Sequence, residues 1–299
     1  MYAIQVRNLS KRFGTTHVLS DVSFDVKKGH IFGIIGPSGS GKTTLLKVLV
    51  GYTQKDGGTV RIEDQQQLEH IIGFTTQNNC FYDELTVKEN MEYFGSIYRR
   101  SDLVQRVPWL LDLVGLKGFG KRLGKELSGG MSRRLDLALS LLNDPKILIL
   151  DELTAGLDPL ARKDILAKIR QINKQGVTVL LSTHLLDEVE DGCDHVIFMK
   201  QGKIAAQGHP HHLKQQFMKY EQVIIQTRPG DYKRIVDHLG QYRHAIEHVH
   251  TKGGKLIFVS RRASTVIHHI LYSLQACNEH LLEIDISKPD LNILFEESS

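Results

Sequence analysis

The chain has 299 residues, of which 41% are hydrophobic and 24% charged, with a formal net charge of +4. That length suits one large or two modest domains, and the composition is that of a globular protein rather than a disordered or fibrous one. The charge is too mild for a nucleic-acid footprint, and no apolar run approaches the roughly 18 residues that span a bilayer.

Residues 1–10 lack a charged-then-apolar leader pattern. Cys80, Cys193 and Cys277 are odd in number and far apart, so free thiols in a reducing cytosol are expected. Ile4-Gln5-Val6 alternates like a short strand, and Val22-Ser23-Phe24-Asp25-Val26 does so more clearly. Next comes the strand-like run Ile31-Phe32-Gly33-Ile34-Ile35, and after an interval the helix-like run Leu45-Leu46-Lys47-Val48-Leu49-Val50.

Between those runs stands Gly36-Pro37-Ser38-Gly39-Ser40-Gly41-Lys42-Thr43-Thr44. It fits the phosphate-loop pattern G-x-x-x-x-G-K-[S/T] at each fixed position. Strand, glycine turn and helix N-terminus make an anion trap, because successive N–H groups point inward and the helix dipole adds positive charge. A nucleotide triphosphate is the ligand this predicts. Lys42 reaches its β- and γ-phosphates, and the Thr43 hydroxyl takes Mg²⁺.

Gly57-Gly58 opens a turn into an alternating strand over 59–63, and Ile72-Gly73-Phe74-Thr75-Thr76 reads as another strand ending at Gln77. A glutamine carbonyl can ligate Mg²⁺ or its water, although Gln77 alone is an ordinary polar residue. Residues 86–115 look helical, with Leu103, Val107, Leu110, Leu111 and Val114 at three- and four-residue spacing and Pro108 starting or kinking the run. A second helix is expected over 132–142.

Ile147-Leu148-Ile149-Leu150 and Val177-Thr178-Val179-Leu180-Leu181 are short and apolar on both faces, as parallel strands covered by helices should be. A helix near 160–173 joins them into a βαβ unit. Asp151 and Glu152 follow the first strand at its carboxyl end, where ligands of open α/β sheets bind. There Asp151 can hold Mg²⁺ and Glu152 can activate water. Read in isolation, the same pair would be an acidic helix cap. His184 ends the next strand at the same edge. Val196–Met199 and Lys203–Ala206, joined by Gln201-Gly202, read as a closing hairpin.

Cys193-Asp194-His195 lacks the second ligand pair of a metal site, and His209, His211 and His212 beside Pro210 read as an exposed loop. Composition shifts near residue 215. Strands over 221–227, 245–250, 255–260 and 280–286 and helices over 231–239 and 263–276 then follow the β-α-β-β-α-β order of ferredoxin-like domains.

These residues resemble the ATP-binding-cassette (ABC) ATPases over 1 to about 215. Leu127-Ser128-Gly129-Gly130-Met131 looks like that family's signature and lies between the phosphate loop and the Asp-Glu pair, as it does there. The resemblance implies a cassette at 1–215 with a RecA-like α/β core, an antiparallel β subdomain and a helical subdomain at about 80–140. An α+β accessory domain would occupy 220–299. It implies ATP and Mg²⁺ as cofactors. Phe13 would stack on adenine, with Val18 or Leu19 nearby. Gln77 would sense Mg²⁺ and couple to a membrane partner, His184 would be the switch histidine, and Ala155-Gly156-Leu157-Asp158 the loop that crosses to a second subunit. Ser128, Gly129 and Gly130 precede a helix and form a second anion site. In the family that site closes on the ATP of a paired cassette, a homodimer being the simplest case.

The chain departs from the pattern at Leu153 (usually Pro), Met131 (often Gln), Ala155 (often Ser) and Phe13 (often Tyr). None of these removes a catalytic group. Pro289-Asp290-Leu291-Asn292-Ile293-Leu294-Phe295 resembles the ending of exporter cassettes. The function implied is the ATPase subunit of an exporter, peripheral on the cytoplasmic membrane face, with a separate permease that Phe81 and Tyr82 could contact. The alternatives are a soluble ABC ATPase acting on nucleic acid or ribosomes, and a P-loop kinase. Residues 36–128 carry no sustained heptads for the former, and no nucleic acid is expected as a partner; no acceptor site is evident for the latter.

Overall fold

The computed structural model describes residues 1–63, 71–190, 192–217, 221–240, 246, 248–261 and 263–287. The chain divides into two compact units, Met1–Pro210 and His211–Ser299.

In the first unit β1 (Tyr2–Phe13), β2 (Thr16–Lys27) and β4 (Gly57–Ile62) form an antiparallel sheet in the order β2-β1-β4. The first two strands are far longer than the alternation predicts. Their register slips at several points, between Val6 and Leu9 among them, and Asn8 and Asp21 adopt left-handed φ of 49° and 56°. Each irregularity resets which side chains face inward, so period-two patterning survives only in fragments.

The main sheet runs β5-β6-β7-β3-β8-β9, from β3 (Ile31–Ile35), β5 (Ile72–Thr75), β6 (Ile147–Asp151), β7 (Thr178–Thr183), β8 (His195–Lys200) and β9 (Lys203–Gly208). All neighbours are parallel except β8–β9, the predicted hairpin. Every residue of β3, β6 and β7 is buried, which accounts for their two-sided apolarity. Phe32, Ile34, Leu45, Leu46, Ile147, Ile149, Leu180 and Ile197 share one core. Each such side chain contributes about 1.5–3 kcal/mol by leaving water. Because β3 lies beside β7, with β6 and then β5 beyond, the loops after these four strands open along one sheet edge.

Among the described residues, the helices of this unit are α1 (Lys42–Leu49), α2 (Val87–Ile97), α3 (Leu103–Leu113), α4 (Gly129–Ser140), α5 (Pro159–Asn173) and α6 (Leu186–Glu190). The helical stretch expected over 86–115 is two helices. The first starts at a capping box, in which Glu89 N–H donates to Thr86 Oγ1 (3.2 Å) and Thr86 N–H donates to Glu89 Oε2 (2.7 Å). It ends before Arg99, whose left-handed φ of 55° turns the chain. Pro108 lies inside α3 rather than starting it.

α7 (Pro210–Phe217) replaces the loop expected around the histidines. Pro210 suits the first helical position, where its missing N–H costs nothing, and His211 and His212 are exposed on that first turn. Among the described residues no cluster of His, Cys, Asp and Glu could hold a metal ion.

In the second unit β10 (Glu221–Arg228), β11 (His248–Lys252), β12 (Lys255–Ser260) and β13 (His280–Ser287) pair antiparallel in the order β11-β12-β10-β13. α8 (Tyr232–Leu239) and α9 (Ala263–Ala276) pack Ile235, Val266, Ile270 and Leu274 on Val223, Ile225, Leu256 and Phe258. The connectivity is β-α-β-β-α-β. The Pro289–Phe295 motif lies outside the described residues.

Candidate active site

The phosphate loop joins β3 to α1, and backbone constraints explain its glycines. A Cβ on Gly36 would stand 2.2 Å from the Met199 carbonyl oxygen. Gly41, the N-cap of α1, has φ of 102°, a conformation closed to L side chains at reasonable cost. The first-turn N–H groups of α1 have no acceptor within the helix and stay available to an anion. Ser40 Oγ is buried without a hydrogen-bond partner.

Lys42 is 4% exposed. Its Nζ donates to the carbonyls of Gly36 (2.8 Å) and Pro37 (3.1 Å) and lies 3.2 Å from Glu152 Oε1. The ammonium therefore bridges the loop that follows β3 and the acid that follows β6. Gln77 Nε2 donates to Glu152 Oε2 at 3.4 Å, and His184 Nδ1 lies 3.9 Å from the same oxygen. Three loops thus converge on one carboxylate. A cleft of about 270 Å³ beside it is lined by Val18, Ser38, Gly39, Lys42, Thr43 and Glu152 among others.

Glu152 takes a left-handed φ of 47°. For a residue with a Cβ this costs roughly 1–2 kcal/mol, and the surroundings must impose it. They do so through Ser182, whose Oγ and carbonyl oxygen both accept from Glu152 N–H (3.0 and 3.2 Å). The same hydroxyl donates to Asp151 Oδ1 at 2.6 Å, and Asp151 is 1% exposed. No sequence motif marks Ser182, whose place opposite Asp151 follows once β6 and β7 are paired in register. Replacing Ser182 by Ala is expected to cost about 1–2 kcal/mol of stability, since the buried Asp151 carboxylate loses a donor and Glu152 N–H loses one of its two acceptors. It is also expected to lower turnover several-fold; urea unfolding and phosphate release measure the two.

Ser128 caps α4, with Met131 N–H donating to its Oγ at 3.4 Å. Ser128 and Gly129 are exposed, and neither lines the cleft. Phe13 ends β1 at 53% exposure with Lys11 Nζ 5.1 Å from its ring centre. Val18 borders the cleft, whereas Leu19 is buried in the core and is unavailable to a base. Phe81 is core, while Tyr82 is half exposed and stacks on Phe94 at 5.9 Å. Leu153, in place of a proline, is buried.

A second network is likewise unmarked in the sequence. Thr154 Oγ1 donates to the buried Glu188 carboxylate at 2.7 Å, and Arg162 Nε stands 3.3 Å from it. It ties the loop after Glu152 to α6, the helix that follows His184. Burial raises the Cys193 thiol, as fits an inert core cysteine, and all three cysteines are free.

Comparison with known proteins agrees with this geometry. Residues 19–155 match the family model described as ABC transporter. A Nod factor export ATP-binding protein I of Ralstonia nicotianae is 38% identical over 218 residues, covering 70% of this chain and 68% of the relative. The protein of that name from Rhizobium etli is 36% identical over 257 residues, covering 83% and 80%. Among solved structures, cbiO1 from Clostridium perfringens, part of the ABC transporter complex cbiONQ, superposes with a TM-score of 0.67 at 28% identity, over 72% of this chain and 91% of that one. A dimeric post-hydrolysis cassette bound to ADP and Pi superposes at 0.63 and 27% identity, over 69% and 98%. Identity above a third across two thirds of such a relative is family membership, and the chain belongs to the ABC transporter family as an ATP-binding cassette ATPase.

Proposed function

We propose that this chain is the ATP-hydrolysing subunit that powers a membrane exporter through a separate permease, working as one of two paired cassettes. The observation that carries the reading is the meeting of Lys42, Gln77 and His184 on Glu152 while the exposed Ser128 and Gly129 line no part of that cleft. A nucleotide held by the phosphate loop is then enclosed when the signature of a second copy covers its open side. The donor set of Thr43 hydroxyl, Asp151 carboxylate and Gln77 amide is all oxygen, as Mg²⁺ requires. When bound, the ion would neutralise charge on the β- and γ-phosphates. Glu152 would accept the proton of the attacking water, His184 would hold the γ-phosphate, and Phe13 would stack on the base.

The relatives named for Nod factor export support the outward direction. Exposed Tyr82 and Tyr93, whose rings meet edge-on at 5.3 Å, offer an aromatic surface for the permease. The enzyme would then work peripherally on the cytoplasmic membrane face. No observation favours the nucleic-acid reading. Purification of the full chain from detergent-solubilised membranes is expected to bring down a polytopic protein in stoichiometric amount. Recovery of the chain alone, or with ribosomes, would refute the proposal.

A further inference from the structure

Asp136 lies on the third turn of the signature helix α4 and is 1% exposed. Its Oδ1 accepts from the Cys80 N–H at 2.8 Å, and its Oδ2 lies 3.3 Å from Arg133 Nη1. Arg133 in turn donates through Nη2 to the Gln77 carbonyl oxygen at 2.5 Å. The Gln77–Cys80 segment is therefore held to α4 at both ends: Gln77 by a guanidinium and Cys80 by a carboxylate, the two joined to each other. The Gln77 side chain meets Glu152, and the N-cap of the same helix is Ser128.

We infer that Arg133 and Asp136 are a positioning pair that locks the Gln77 loop to the signature helix, so that the γ-phosphate end of one cassette and its signature move as one body. This rests on the reading of Gln77 as a residue of the hydrolytic site. A 12-residue helix is stiff along its length, so a displacement of the Gln77 carbonyl is transmitted to Ser128 instead of being absorbed by an exposed loop. The sequence conceals the pair because an Asp-Arg spacing of three on a helix is ordinarily a surface ion pair.

Burial pushes the Asp136 carboxyl up to about 6, so near neutral pH its ionised form is held against a desolvation cost. Removing either member of the pair alone strands the other, so each single variant is expected to be less stable, whereas replacing both leaves no stranded charge and should restore stability. This separates positioning from structure. Asp136→Asn keeps the acceptor for Cys80 N–H but turns a donor toward Arg133. Arg133→Met keeps the apolar stem and removes the donor to Gln77.

In the purified full chain, each variant is expected to lower kcat for ATP about tenfold with KM for ATP within about twofold, because the phosphate loop is untouched. The melting temperature should fall in each single variant and recover in the double variant, while kcat stays low in all three. Arg133→Lys, which restores one donor, should recover part of the rate. The double variant should be no slower than the slower single one, since both break one link. Wild-type kcat in either single variant, a kcat that recovers with the melting temperature in the double variant, or losses that multiply in the double variant would each overturn the pair. Gln77→Ala is the control for the underlying reading: an unaltered rate there removes Gln77 from the site, whereas a lowered rate there with a normal Arg133→Met removes only the pair.

Discussion

Glu152→Gln is expected to bind ATP within about twofold of the parent and to hydrolyse it at least about a hundredfold more slowly, the range a lost general base commands. The amide keeps the volume and one oxygen, so contacts of 3.2 Å to Lys42 and 3.9 Å to His184 are kept in outline. What it loses is the capacity to take a proton. Gln tolerates the left-handed φ of 47° no worse than Glu, so the backbone gives no separate reason for a loss. If the proposed cycle holds, the variant should accumulate as an ATP-bound dimer. Phosphate release and size-exclusion chromatography in ATP measure the two effects. A wild-type rate removes Glu152 from the role of base, and slow hydrolysis without dimers removes the paired-cassette cycle while leaving the acid–base assignment intact.

Lys42→Ala is expected to weaken ATP binding by about 10- to 100-fold. Charge-assisted hydrogen bonds contribute about 1.5–3 kcal/mol each, and 1.4 kcal/mol is a factor of ten. The apoprotein has a second consequence in store. Nζ serves the Gly36 and Pro37 carbonyls and the Glu152 carboxylate at once, from a position 4% exposed. Removing it strands those oxygens, so the melting temperature should fall even without nucleotide, and the rise that ATP confers should shrink. Titration with a fluorescent ATP analogue, together with melts at several ATP concentrations, tests both. Unaltered affinity contradicts the role of Lys42 at the phosphates; unaltered apoprotein stability contradicts the bridge.

Nucleotide binding was legible because its chemistry is contiguous. The anion cradle is built from consecutive N–H groups, so Gly36 to Thr44 must appear as one string. The buried strands β3, β6 and β7 were legible for a related reason: a strand covered on both faces has no polar side to show. Signals faded wherever geometry broke a period. β1 and β2 slip register, so the residues facing inward change partway along. The helix pair expected as one run divides at Arg99, a residue without any compositional mark of a turn.

By itself the sequence determined the phosphate loop, the acids after β6, the histidine after β7 and the signature, since each is defined by its immediate neighbours in the chain. Only the tertiary structure decided that Gln77 reaches Glu152 across 75 residues, that Ser182 holds Asp151 across 31, and that Asp136 holds Cys80 across 56. It also sorted Val18 from Leu19 and Tyr82 from Phe81. The reason is physical: local patterns report the periodicity of a helix or strand, whereas a hydrogen bond between distant residues depends on sheet order and register, which no single segment encodes.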